Sequence, residues 1–340
     1  MIEIEKIVST ITGGLAIGTT FQPSEVGLTD YFVGSEGGEE DEDTGKVAID
    51  ALTEPLYPQP IEPVYPLNRK VIAIDSTSFG LGFVPDGIVS AIRLSVIIKE
   101  AGRTNHSLER YGPYIIPVTN QNKEALYHNL YRTVYGKDPK GIHAPDCVKM
   151  LDRVRDLLER YVQLEVAKNF KESLILLDGS LIGRTVALPE FFTRRILDHA
   201  MGNGNSVVAI SKSTGLTLEP SQRSILSLLD GVCGPCHVSG VKDHISQDKD
   251  RYFGDIYVAK LTPLGEPFRI DIPGNAPIKH SQILSEVAGL AGEYGYPEEL
   301  KLAHMTCVFS SLEILELQAV AVATHHLIMK EELRRKLFPL

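Results

Sequence analysis

Two aspartates leave apolar runs in the same manner. In VIAIDSTSFG (71–80) and LILLDGSLIG (174–183), Asp75 and Asp178 each follow four apolar residues and precede small hydroxyl and glycine residues. An unpaired buried charge costs several kcal/mol, so two such placements point to a shared site. Neighbouring carboxylates repel one another and raise one pKa unless a divalent cation lies between them. Mg²⁺ and Mn²⁺ favour such oxygen ligands. Taken singly, each aspartate could equally cap the turn that follows it. Between the two runs lie Asp156, Glu159 and Glu165. Asp156 and Glu159 share a helix face and Glu165 lies on another. One of these acids would complete the three-carboxylate arrangement of two-metal phosphoryl-transfer sites. Lys212, just beyond SVVAIS (206–211), is suited to neutralising a scissile phosphate.

The elements that must position these residues follow from periodicity. Val71 to Asp75 reads as a buried strand, and a second strand over 86–100 continues into a third near Tyr114. Over 146–170, Val148, Leu151, Val154, Leu158 and Val162 recur at helical spacing. The strand Leu174 to Asp178 follows directly, then a helix over 188–201 and the strand 206–211. This strand, helix, strand succession is an α/β signature, and sites in open α/β sheets form where the strands end. YFGDIYVAKL (252–261) and FRIDIP (268–273) read as a hairpin. Residues 297–309 and 311–337 read as helices. Before Val71, the acidic run EGGEEDED (36–43) and Pro55, Pro58, Pro60, Pro63 and Pro66 predict an extended arm.

With 340 residues, 43% hydrophobic and 23% charged, the chain has the composition of a globular protein. Neither a signal peptide nor an apolar run of about 18 residues is evident, so a cytoplasmic protein without a membrane segment is expected. Of the four cysteines, Cys233 and Cys236 form CGPC, and Cys147 and Cys307 stand apart. No second ligand pair sits at zinc-site spacing and no clear βαβ unit follows the motif, so these read as buried or turn cysteines. The net charge of −10, from 44 acidic and 34 basic residues, disfavours nonspecific nucleic-acid binding over the whole surface. A nucleic-acid enzyme would need a local basic groove, for which Arg184, Arg194, Arg195 and Lys212 are the candidates.

The AID-S-x-S and LLDGSL elements, ISKS with Lys212, the YFGDIYVAKL hairpin and YGYPEELKLAH (294–304) occur in an order that resembles the NurA nucleases over roughly residues 70–310. The resemblance implies an RNase H-like mixed sheet flanked by helices, hydrolysing DNA phosphodiesters with Mn²⁺ or Mg²⁺. Asp75 and Asp178 match the family's metal aspartates. Glu159 matches its helical glutamate, with Glu165 as the alternative. Lys212 and His304 match its lysine and late histidine. The resemblance further implies a homodimer acting on DNA in end resection beside a hexameric HerA translocase. The long acidic, proline-rich arm departs from the family pattern.

The domain organisation that follows is an arm over 1–69, a nuclease domain over 70–310 and a C-terminal helix over 311–340 for dimer or partner contact. One rival is an actin-like or sugar-kinase fold, in which two Asp-Gly/Ser turns hold the phosphates of ATP. That fold needs two complete sheet domains. A noncatalytic scaffold subunit is the other rival, against which the intact carboxylates argue.

Overall fold

The computed structural model describes residues 4–12, 17–18, 47–49, 56–84, 86–183, 189–245, 248–292 and 294–325. The acidic run, Arg184 and residues 326–340 lie outside these. In chain order the strands are β1 (Ile17–Gly18), β2 (Val47–Ile49), β3 (Gln59–Pro60), β4 (Val71–Val84), β5 (Gly87–Lys99), β6 (His106–Thr119) and β7 (Leu174–Asp178). They continue as β8 (Ser206–Ser211), β9 (Leu216–Leu218), β10 (Arg223–Ser224), β11 (Cys236–Val238), β12 (Gly254–Lys260) and β13 (Pro267–Pro273). The helices are α1 (Ile4–Thr12), α2 (Lys123–Tyr135), α3 (Cys147–Asn169), α4 (Glu190–Gly202), α5 (His280–Gly289), α6 (Glu298–Cys307) and α7 (Ser311–His325).

Ten strands form one mixed sheet in the order β1-β6-β5-β4-β7-β8-β13-β12-β11-β3. The meander β4-β5-β6 is antiparallel, whereas β7 and β8 join β4 in parallel. Short connections suffice for the meander, but each parallel crossover needs a helix, which α3 and α4 supply. This is the RNase H-like mixed sheet expected from the sequence. A separate three-stranded sheet, β10-β9-β2, lies beside it. Among the described residues there is no second full sheet of the kind the sugar-kinase alternative requires.

Side-chain alternation along each central strand fixes two core layers. Ile72 and Ile74 of β4, Ile175 and Leu177 of β7, and Val207 and Ala209 of β8 pack with α2, α3 and α4. Val71 and Ala73, Leu174 and Leu176, and Val208 and Ile210 pack the other way, with α5 and α6. Helix α3 begins where the Asp146 carboxylate accepts hydrogen bonds from the Val148 and Lys149 amides, which satisfies two of the first-turn donors. It buries Met150, Leu151, Val154, Leu157, Leu158 and Val162. Val148, expected on that face, is exposed instead, because the buried stripe starts two residues later at Met150.

Strand β4 departs from expectation. The residues after Asp75 do not turn but continue as strand to Val84, paired with β5 down to Val84 opposite Gly87. Small residues that resemble a turn are held extended by a full antiparallel partner. The parallel partner β7 nevertheless stops early, its last pair with β4 being Ile74 and Leu177. Asp75 therefore lies inside a strand, one residue beyond the end of the parallel pairing.

Residues Glu298–Thr324 together are long and apolar enough to cross a membrane, and a third of an 18-residue apolar window within them is buried. The stretch is broken after Cys307, however, and both helices rest on β4 and β5. Glu299, fully buried on α6, bonds Lys99 at 2.8 Å, and Glu313 on α7 bonds Arg93 at 2.7 Å. Charges paired into the sheet face identify these as core helices of the domain.

A further buried ion pair supports the far half of the sheet. Arg269 and Asp271 on β13 are 0% and 1% exposed and meet in two hydrogen bonds of 2.8 Å. Asp271 also accepts the Leu181 amide at 2.9 Å, which holds the loop that follows β7. Breaking such a pair on one side strands a buried charge, at about 3–5 kcal/mol. We expect Arg269→Met to lower stability by that amount in urea unfolding, and Arg269→Met/Asp271→Leu to recover most of it. Equal losses in the single and double variants would contradict this account.

Candidate active site

Three strands end their shared pairing at one level. On the face toward α5 and α6, alternation carries Asp75 on from Ala73, Asp178 on from Leu176, and Lys212 on from Ile210. Asp75 and Asp178 are thus side by side on adjacent strands, one step past the Ile74–Leu177 pair. Gly179, with φ of 99°, turns the chain away directly after Asp178, a conformation that L side chains resist. Lys212 Nζ donates to Asp178 Oδ2 at 2.9 Å and lies 4.9 Å from the centre of the Tyr296 ring.

From above this face, α6 brings His304. Its Nδ1 is 2.9 Å from Asp75 Oδ2, and the Cys307 thiol donates to the same oxygen at 3.6 Å. The hydrogen bond to Asp75 raises the His304 pKa above its ordinary value, while partial burial and Lys212 work against it. Burial, with the negative Asp75 beside it, pushes the Cys307 thiol strongly upward. The other Asp75 oxygen accepts the Ser76 amide at 2.7 Å.

Glu159 approaches from the opposite face. Ser76, the next residue along β4, points toward α3, and its hydroxyl donates to Glu159 Oε2. Gln163 holds the other oxygen at 2.9 Å and is itself held by Arg160 at 2.7 Å. Burial is the main cause that pushes the Glu159 carboxyl up to about 7; Arg160 and Arg155 oppose it, and the charge of Asp75 adds to it. Burial disfavours the charge on Arg155, but Asp156, Glu159, Asp152 and Asp75 outweigh that and keep the guanidinium protonated.

Of the residues singled out from the sequence, Asp75, Asp178, Lys212 and His304 therefore share one face, and Glu159 reaches the same stretch of β4 from the other. Glu165 turns away to Lys168 at 2.7 Å. Asp156 pairs with Arg155 at 3.0 Å. Arg194 pairs with Glu190 at 2.8 Å and stacks over Phe253, and Arg195 is exposed on the same helix. Arg184 is outside the described residues. Sequence reasoning missed Ser76, Gln163 and Cys307. Only Cys307 carried a signal, since His304 and Cys307 are three residues apart on one helix.

A family model described as the NurA domain matches residues 69–309. The chain belongs to the NurA family. The matched span contains all the residues assembled above, from Asp75 to Cys307. The crystal structure of the NurA nuclease from Sulfolobus solfataricus has the same fold at 16% identity and a TM-score of 0.50, covering 79% of this chain and 88% of that one. A second NurA crystal structure is 10% identical, with a TM-score of 0.43 over 77% of this chain and 90% of its own. An endonuclease V from Streptomyces avermitilis is 11% identical, with a TM-score of 0.37 over 73% and 84%. No curated protein matches the chain.

The Glu159 environment has a consequence for the metal-free protein. A carboxyl raised from 4.5 to about 7 on folding contributes stability that is whole below the unfolded value and is lost as pH rises through the folded one. We expect metal-free protein to lose on the order of 1–3 kcal/mol between pH 4.5 and 7 from this group, and Glu159→Gln to flatten that decline. Urea midpoints across the range measure it, and a decline of equal size in the variant would remove Glu159 as its source.

Proposed function

We propose that this NurA-family chain is a divalent-metal-dependent deoxyribonuclease that hydrolyses phosphodiester bonds during DNA end resection and repair. The observation that carries the reading is the juxtaposition of Asp75 and Asp178 beyond the last parallel pair, with Lys212 and His304 brought to the same face. The donor types fit a hard cation: Asp75 and Asp178 offer carboxylate oxygens from adjacent strands, and Glu159, which reaches the same stretch of β4 from the α3 side through Ser76, is close enough for the charge of Asp75 to raise it. Asp75, Glu159 and Asp178 are the residues that would hold Mn²⁺ or Mg²⁺. The cation, when bound, supplies Lewis-acid polarisation of the phosphate and a more acidic attacking water.

The remaining roles belong to side chains. The Lys212 ammonium is placed to offset charge on the phosphate oxygens. Asp75 fixes the His304 ring through Nδ1, so Nε2, on the exposed edge of the ring, is the atom that can pass a proton to the leaving oxygen. Ser76 and Gln163 orient Glu159. Residues 70–310 carry the catalytic residues in this reading; α1, β1 and β3 before them and α7 after them pack onto that unit, so partner contacts are proposed for the outward sides of the arm over 1–69 and of the helix from 311 onward. We further propose that the enzyme is a cytoplasmic homodimer that works with a HerA-type translocase hexamer. A chain of net charge −10 repels DNA over most of its exterior, so a partner that feeds the strand would offset weak capture. Arg184, Arg194 and Arg195 are the candidate DNA contacts.

Asp75→Asn and Asp178→Asn are each expected to lower Mn²⁺-dependent cleavage of linear DNA by roughly 100-fold or more, and Lys212→Met by about 100-fold. Glu165→Gln should cleave at close to the unmodified rate, whereas Glu159→Gln should not. Near-normal cleavage by either aspartate variant would refute the assignment. In a separate binding assay, the protein alone should hold DNA weakly and lose it steeply between low and moderate salt. Tight binding that persists in high salt would show that no feeding partner is required.

A further inference from the structure

Helix α6 presents two nitrogen or sulfur donors on one face, His304 and Cys307, and β4 delivers Asp75 between them. One ligand atom from each lies within 4.8 Å of the other two. His304 Nδ1 and Cys307 Sγ are 2.9 and 3.6 Å from Asp75 Oδ2. Tetrahedral zinc, with bonds of roughly 2.0 Å to nitrogen or oxygen and 2.3 Å to sulfur, sets its ligand atoms roughly 3.3–3.5 Å apart. The two separations to Asp75 are thus within about half an ångström of that spacing, and the third, no more than 4.8 Å, closes by side-chain rotation. One nitrogen, one sulfur and one oxygen form a poor set for Mg²⁺, which seeks oxygens, and a good one for Zn²⁺. Three protein ligands leave a fourth position for water, and of the three only His304 is substantially exposed.

Asp75 therefore has two sets of neighbours. Toward Asp178 they are hard oxygens. Toward α6 they are an imidazole and a thiol. We propose that Asp75, His304 and Cys307 form an inhibitory Zn²⁺ site that competes for Asp75 with the cation used in cleavage. The competition rests on the nuclease reading; the binding does not. On binding, the Cys307 thiol releases its proton to solvent as the sulfur–zinc bond forms, and His304 exchanges its hydrogen bond to Asp75 for a nitrogen–zinc bond. No oxidation state changes. Because protons are released, affinity rises with pH.

The test uses the metal-free full chain and Co²⁺, whose thiolate charge-transfer absorption reports sulfur ligation, followed by displacement with Zn²⁺. The unmodified protein and Cys233→Ser/Cys236→Ser are expected to give the band at one equivalent, and Cys307→Ser is expected to lack it. His304→Ala, which keeps the thiol, should weaken cobalt binding by roughly 10–100-fold and serves as the second probe if Cys307→Ser does not fold. In Mn²⁺-driven cleavage, with each protein scaled to its own zinc-free rate, Cys307→Ser should need at least about tenfold more Zn²⁺ for half-inhibition. A band that survives Cys307→Ser, one that disappears with the Cys233/Cys236 pair, or equal zinc sensitivity in both proteins would overturn the proposal. A cobalt band in a protein that cleaves no DNA would remove the nuclease reading and the competition with it, while supporting the metal site.

Discussion

The structure depends on holding a carboxylate inside a sheet. Asp75 is 8% exposed and sits in the middle of a strand, where a bare charge would be untenable. It is tolerated because an amide from its own strand, an imidazole and a thiol all aim at it. Two of those partners come from α6, some 230 residues downstream in the chain. The charge thus dictates that the C-terminal helices return to cover the sheet near its N-terminal strand. The helices answer with carboxylates of their own, Glu299 and Glu313, set against Lys99 and Arg93 of β5. The polar face of β5 and the acids of α6 and α7 make sense only together.

Parallel and antiparallel pairing meet at β4, and that mixture creates the site. An all-parallel sheet would end its strands together and offer one row of loops. Here β7 stops at Asp178 while β4 runs on beside β5, so one carboxylate stands at a strand end and the other against a continuing wall of strand. Alternation then sends Asp75 to one layer and Ser76 to the other. Through Ser76, Glu159 on α3 is tied to the same two residues of backbone that carry Asp75.

Much of this was legible in the sequence. The apolar runs of β7 and β8 and the 3.6-residue spacing of α3 and α4 placed the parallel half, and the order of motifs placed Lys212 and His304. The same spacing marks α2, at Leu126, Leu130 and Val134, and α5, at Ile283 and Val287, and these add to the expected elements. The continuation of β4 was not legible, because STSFGLG has the local chemistry of a turn and only its pairing with β5 makes it strand. Nor were Ser76, Gln163 and the Arg269–Asp271 pair, since nothing local announces a partner set by tertiary register. The choice between Glu159 and Glu165 was likewise a matter of which helix face meets the sheet. The two are about 120° apart on α3, and burial of Leu158 and Val162 turns Glu159 toward β4 and Glu165 toward Lys168.

Helix α6 resembles a beam pinned at both supports. Glu299 fastens its first turn to Lys99, and Glu313, just past its far end, fastens the start of α7 to Arg93. His304 lies between the two supports. Fraying from one end, the ordinary low-energy opening of a ten-residue helix, must first break a buried ion pair, so α6 joins the cooperative unit of the sheet. Amide exchange along α6 should accordingly report opening of β4 and β5 together rather than of a peripheral helix. The histidine is mounted on a helix tied into the sheet on both sides, while the ring it presents remains half in solvent.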